Sequence, residues 1–132
     1  PQARLHAGPA LASLGVRAGI DVSDGVASEA GHLARASGVA IVVDVAAVPI
    51  HPMAVRAFGV DRARHLALTG GEDYELLVAL PPALLDAARA AVAPETTLTV
   101  IGRVGETVPG GAVSFESGGV PVAPPGKGYV AF

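Results

Sequence analysis

From Val26 to Ala36 the apolar residues Val26, Ala30, Leu33 and Ala34 recur every three or four positions, the period of one helix face. Glu29, His32 and Arg35 share the polar face, and Gly38 stands where a helix closes. The run that follows, Val39-Ala-Ile-Val-Val-Asp-Val, is β-branched without a break and predicts an interior strand. Upstream, residues 3–14 predict a helix weakened by Gly8-Pro9 and closed by Gly15. Arg17-Ala-Gly-Ile-Asp-Val then predicts a short strand ending at Ser23-Asp24-Gly25. Downstream, Pro49 and Pro52 precede a short helix over Met53–Phe58, and Arg62–Leu68 forms another that stops at Thr69-Gly70-Gly71. Tyr74-Glu-Leu-Leu-Val-Ala-Leu is the next strand, and Pro81-Pro82 opens a helix over Ala83–Val92. A strand over Thr97–Val104 follows, and then Val113–Phe115 pairs with Val120-Pro-Val across Ser117-Gly118-Gly119.

Strands alternating with helices predict an α/β or α+β layer, a sheet of four or more strands with helices packed mainly on one face. At 132 residues the chain is one domain, 1–132. Because 51% of the residues are hydrophobic and only 4% aromatic, the core must be built from Ala, Val, Leu and Ile. Disorder is excluded by that composition, and Gly, Pro or a charge interrupts every apolar stretch before it reaches membrane-spanning length. The net charge of −3, with the eight arginines and the single Lys127 dispersed, lacks the basic footprint of a nucleic-acid partner. Absence of Cys removes thiolate chemistry and suits a reducing cytoplasm. The start at Pro1, without an initiating Met, suggests a piece of a larger protein.

Two segments carry candidate chemistry. Asp21-Val22-Ser23-Asp24-Gly25 places two carboxylates and a hydroxyl where a strand gives way to a helix. Carboxylate oxygens bind Mg²⁺, which bridges phosphate oxygens, and a helix N-terminus adds N–H groups aimed at anions. Capping of the helix by Ser23 or Asp24 is the plainer alternative. Thr69-Gly70-Gly71-Glu72-Asp73-Tyr74-Glu75 sets three acids after a double glycine, whose backbone permits close approach or positive φ. These acids suit a cationic substrate or an aquated metal, or they form a charged turn and nothing more. The four histidines lack paired metal spacing, Gly126-Lys127-Gly128 is not a phosphate-binding P-loop, and no serine stands in a nucleophile elbow.

Taken together, Ile20-Asp21-Val22-Ser23-Asp24-Gly25-Val26 and Leu68-Thr69-Gly70-Gly71-Glu72-Asp73-Tyr74-Glu75-Leu76-Leu77 resemble the two signatures of the C-terminal domain of thiamine-monophosphate kinases. The resemblance continues through Ala36-Ser37-Gly38-Val39, Ile101-Gly102-Arg103-Val104 and Gly128-Tyr129. That family shares its fold and ATP use with aminoimidazole ribonucleotide synthetase, selenophosphate synthetase and a hydrogenase maturation factor, which lack the Gly-Gly-Glu-Asp-Tyr-Glu run.

The resemblance implies a mixed sheet of the aminoimidazole ribonucleotide synthetase C-terminal type and transfer of the ATP γ-phosphoryl group to thiamine monophosphate. It implies Asp21 and Asp24 as Mg²⁺ ligands, Ser23 as a contact to ATP phosphate, and Glu72 and Tyr129 as contacts to thiamine, with no catalytic side chain in this half. It also implies a cytoplasmic homodimer whose N-terminal ATP-binding domain is absent here, so that the chain alone is inactive. Two departures stand out: the ending Val130-Ala131-Phe132 replaces the family's acidic-then-His ending, and Glu29 stands where an Asp is usual. The alternatives are a related synthetase or maturation-factor domain with another acceptor, and a non-catalytic ligand-binding or assembly module.

Overall fold

Two hydrophobic clusters organise residues 4–126, the part of the chain that the computed structural model describes. The elements run α1 (Ala7–Ser13), β1 (Ala18–Val22), α2 (Val26–Ser37), β2 (Val39–Asp44), α3 (Pro52–Phe58), α4 (Val60–Thr69) and β3 (Glu75–Ala79). A single 3-10 turn, Pro82–Leu84, then leads into α5 (Leu85–Val92), β4 (Gly102–Thr107), β5 (Ala112–Ser117) and β6 (Val120–Val122). No described helix is long and apolar enough to cross a membrane.

The strands form a four-stranded mixed sheet in the order β4-β2-β5-β6 and a separate antiparallel pair, β1-β3. The β-branched run of β2 lies centrally, as its continuous apolar pattern predicts, antiparallel to β4 and parallel to β5. α2 lies across β1, β2 and β5 and buries Ala30, Leu33 and Ala34 against Ile41, Val43 and Phe115. Gly38, in left-handed geometry at φ 63°, ends α2 and turns the chain directly into β2.

The second cluster joins α1 to α5 through Ala7, Leu11, Ala88 and Val92. β3 and the residue after it serve both clusters: Leu77 and Ala79 pack on the first, and Leu76, Val78 and then Leu80 on the second. That is the alternation of a strand buried on both faces. Gly8-Pro9 does not break α1, because both residues sit in its first turn, where backbone N–H groups have no intrahelical acceptor. Glu95 supplies an acceptor from the far end of the chain, taking the Ala7 N–H at 2.8 Å. At the other end, the Gly15 N–H reaches Ala12 O and the Val16 N–H reaches Leu11 O, the paired closure that the glycine predicts.

One strand is displaced from its expected position. The ladder covers Gly102–Thr107 rather than Thr97–Val104, because Leu98 is drawn into the second cluster while β2 fixes which residues can pair with it. Gly102 pairs opposite Val43, where a side chain at residue 102 would collide with the Val42 carbonyl. The β5–β6 hairpin forms as expected, with Gly118 and Gly119 both at positive φ, as a tight two-residue turn requires.

Candidate functional site

Antiparallel pairing of β1 with β3 brings the two acidic segments to one end of the two-stranded ribbon. The last register pair is Val22 with Glu75, and beyond it the Tyr74 N–H donates to Val22 O at 3.0 Å and the Glu72 N–H to Ser23 O at 2.8 Å. The two turns are thus stitched together by main chain. Gly25 tightens the junction: at φ 100° its α-carbon lies so close to α4 that a Cβ would sit 2.7 Å from Leu68 O. Asp21 and Asp24 are exposed, as is Glu72 on the adjoining turn, while Ser23 is half-buried. Tyr129 lies outside the described residues.

Ser23 and Asp24 do not cap α2 in the ordinary way. The N-cap position is Gly25, which has no side chain to offer, and neither Ser23 nor Asp24 accepts from the first-turn N–H groups among the described residues. Glu29 of α2 reaches back instead: its Oε1 accepts from Ser23 Oγ at 3.3 Å and from the Asp24 N–H at 3.2 Å. Although helical periodicity groups Glu29 with the polar face, the residue is only 3% exposed. The tertiary fold corrects that expectation, because α4 and the turn close over the first turn of α2. Two sequence signals pointed to Glu29: its place as the acid in the helix's first turn, and its standing where the resembled family usually has an Asp.

The second turn carries unusual backbone. Positive φ falls on Glu72 at 67° and Tyr74 at 52°, whereas Gly70 is extended at −73°. Gly70 is needed for close approach, since a Cβ there would lie 2.5 Å from Leu66 O. Left-handed geometry in residues with side chains is tolerated where surrounding structure over-determines it, commonly at functional turns. Partial burial raises the Asp73 carboxyl above its ordinary pKa, and neighbouring Glu75 pushes it the same way. Glu75 is itself gripped by Arg4 through two hydrogen bonds of 2.8 and 2.6 Å. A cleft of about 40 Å³ lies beside this ion pair, lined by Arg4, Glu75, Leu76 and Thr96 among others, and none of Asp21, Ser23, Asp24 or Glu72 borders it.

Asp21 and Asp24 offer hard oxygen donors, and neither carboxylate makes a hydrogen bond among the described residues. No group of three or more potential metal-binding side chains forms among the described residues either. Two carboxylates fit Mg²⁺, which keeps much of its water and binds through one or two acids together with substrate phosphates; they would not make a closed cage for a structural metal.

The chain is similar to known proteins in sequence and in fold. Residues 1–113 match the family model for AIR synthase related protein, C-terminal domain. Thiamine-monophosphate kinase of Salmonella typhimurium is 36% identical over 133 residues, covering 100% of this chain and 40% of that protein. The crystal structure of thiamine-monophosphate kinase from Stenotrophomonas maltophilia superimposes with a TM-score of 0.69 at 36% identity, over 77% of this chain and 32% of that one. AaThiL complexed with AMPPCP and TMP superimposes with a TM-score of 0.58 at 32% identity, over 76% of this chain and 30% of that one. The chain therefore spans well under half the length of the relatives it matches. On the match across residues 1–113, together with the mixed sheet and the paired acidic turns, this chain belongs to the AIR synthase related protein C-terminal domain family.

Proposed function

We propose that this chain is the acceptor-side half of a kinase that moves the γ-phosphoryl group of ATP to the phosphate of thiamine monophosphate, releasing ADP and thiamine diphosphate. The observation that carries this proposal is the main-chain junction of the two acidic turns, Glu72 N–H to Ser23 O at 2.8 Å, which fixes Asp21, Asp24 and Glu72 around one end of the ribbon. Its support from relatives is the kinase of Salmonella typhimurium, matched along the whole of this chain, and the binding of AMPPCP and TMP by AaThiL.

In this scheme Asp21 and Asp24 hold Mg²⁺, whose charge would offset that of the converging phosphates. The Ser23 turn meets ATP phosphate beside the open N-terminus of α2, where uncapped N–H groups and the helix dipole favour an anion. Glu72, on a left-handed residue at the mouth of β3, faces the cationic thiamine, with Tyr129 as the aromatic contact from the C-terminal segment. Positioning and charge compensation supply the rate, and no side chain of this half forms a covalent bond to substrate. The remaining contacts to ATP and metal come from an N-terminal domain of the same polypeptide, which works as a cytoplasmic homodimer.

The test uses the full-length polypeptide that carries this chain, assayed for ATP-dependent formation of thiamine diphosphate. Asp24→Ala should lower kcat/KM on the order of a hundredfold, partly recovered at high Mg²⁺, as expected for removal of a transition-state charge partner. Glu72→Ala should act mainly on KM for thiamine monophosphate and leave KM for ATP unchanged. Wild-type-like kinetics in both variants would overturn the assignment.

A further inference from the structure

Glu29 is the one acid of the turn region turned wholly inward, 3% exposed in the first turn of α2. A buried carboxylate is retained at a large desolvation cost unless it is hydrogen-bonded, so its partners are informative. They are both in the Asp21–Gly25 turn: Ser23 Oγ at 3.3 Å and the Asp24 N–H at 3.2 Å, converging on a single oxygen, Oε1. The amide contact is at the long end of its ordinary range and the hydroxyl contact is longer than usual, but both meet one buried acceptor, so losing that acceptor frees both groups at once.

The direction of the first contact has a chemical consequence. A carboxylate accepts and does not donate, and a serine hydroxyl has one proton, so Ser23 must donate to Glu29. Its oxygen then has only lone pairs to offer outward. Lone pairs suit a cation and do not suit an unprotonated phosphate oxygen. The second contact draws the Asp24 N–H inward, next to Gly25, whose packing on Leu68 O and Thr69 anchors the other side of the turn.

Resting on the proposed kinase activity, we infer that Glu29 is a positioning residue. It holds the Ser23 proton and the Asp24 amide on one buried oxygen, presents Ser23 Oγ to the Mg²⁺ held by Asp21 and Asp24, and leaves the nucleotide phosphate to backbone N–H groups of the turn and of α2.

Two near-isosteric variants of the full-length polypeptide separate this role from packing. Glu29→Gln retains an acceptor oxygen and Glu29→Met retains only volume. Three readouts apply: steady-state kinetics, Mn²⁺ binding followed by electron paramagnetic resonance with AMPPCP present, and amide hydrogen exchange of the peptide spanning residues 21–26. Glu29→Met should lower kcat and Mn²⁺ affinity by about tenfold to a hundredfold, the range of a lost hydrogen bond to a charged group. Exchange at residues 21–26 should quicken by a similar factor, with KM for thiamine monophosphate unchanged, and Glu29→Gln should restore all three to near wild type. Ser23→Ala should weaken Mn²⁺ and spare the exchange rate of α2 beyond its first turn. Equal behaviour of Gln and Met, whether both wild-type-like or both impaired with a general fall in Tm, would overturn the positioning role. Failure of the wild type to bind Mn²⁺ would overturn the cation-facing hydroxyl. Exchange and Mn²⁺ binding need no turnover, so a polypeptide that makes no thiamine diphosphate would sink the proposed activity while these measurements still decide Glu29.

Discussion

The Asp21–Gly25 turn and the Gly70–Tyr74 turn meet through two main-chain hydrogen bonds, yet each handles unusual backbone differently. In the first turn, positive φ falls on Gly25, the residue without a side chain, and a buried glutamate secures the flanking polar groups. In the second, the glycine provides close packing at Leu66 O while positive φ falls on Glu72 and Tyr74, which carry full side chains. One turn is built for low strain and the other tolerates strain on the residues that face outward. Strain placed on outward-facing side chains, rather than on an available glycine, indicates that the direction of those side chains matters more than local stability.

The largest effect is expected from attacking the first turn. Gly25→Ala would force a Cβ to 2.7 Å from Leu68 O and 2.9 Å from the Thr69 backbone, at φ 100° and ψ 150°. That region is essentially reserved for glycine, and the clash adds overpacking, so the loss should be about 3 kcal/mol or more in denaturant unfolding. A loss below about 1 kcal/mol would mean that the two turns are not locked through Gly25.

The second turn should respond in the opposite direction. Glu72→Gly relieves a left-handed residue at φ 67°. Set against the extra chain entropy of glycine, the net change should be a gain of up to about 1 kcal/mol. In the full-length polypeptide the same variant should raise KM for thiamine monophosphate. A variant that is less stable, or unchanged in KM, would remove the reason for the strain.

This contrast explains what could be read from sequence. The helix over Val26–Ala36, the central strand at Val39 and the Gly118-Gly119 hairpin follow from patterns contained within a dozen residues, and each formed where expected. The acidic turns were legible as neighbours of glycine, because glycine marks where chain direction changes. Sequence spacing could not show that Glu29 faces inward, since α4 covers the first turn of α2 only in the folded chain. Nor could it assign positive φ to Glu72 instead of Gly70, a choice that goes with the two hydrogen bonds tying residues 72 and 74 to Ser23 and Val22 beyond the end of the ladder. Glu95 capping α1 and Leu98 pulling β4 out of its expected register are likewise contacts with distant parts of the chain.

The smallest effect concerns Asp73, between the two strained residues. Partial burial holds its carboxyl above the ordinary carboxylate range, with Glu75 adding to the shift. The folded chain therefore binds this proton more tightly than the unfolded chain does. The stabilisation this provides is complete below the unfolded-state pKa and is lost as pH rises through the higher folded-state value. At neutral pH the ionised Asp73 thus opposes folding slightly, an effect kept small by its exposure at the surface. Asp73→Asn cannot ionise, so its Tm should match the wild type in acid and move modestly above it as pH climbs past the ordinary carboxylate range. Added salt should shrink the share due to Glu75 and spare the share due to desolvation. A Tm difference that is constant with pH, or that favours the wild type at neutrality, would show that the second turn holds its acids without strain and would erase the contrast with the first.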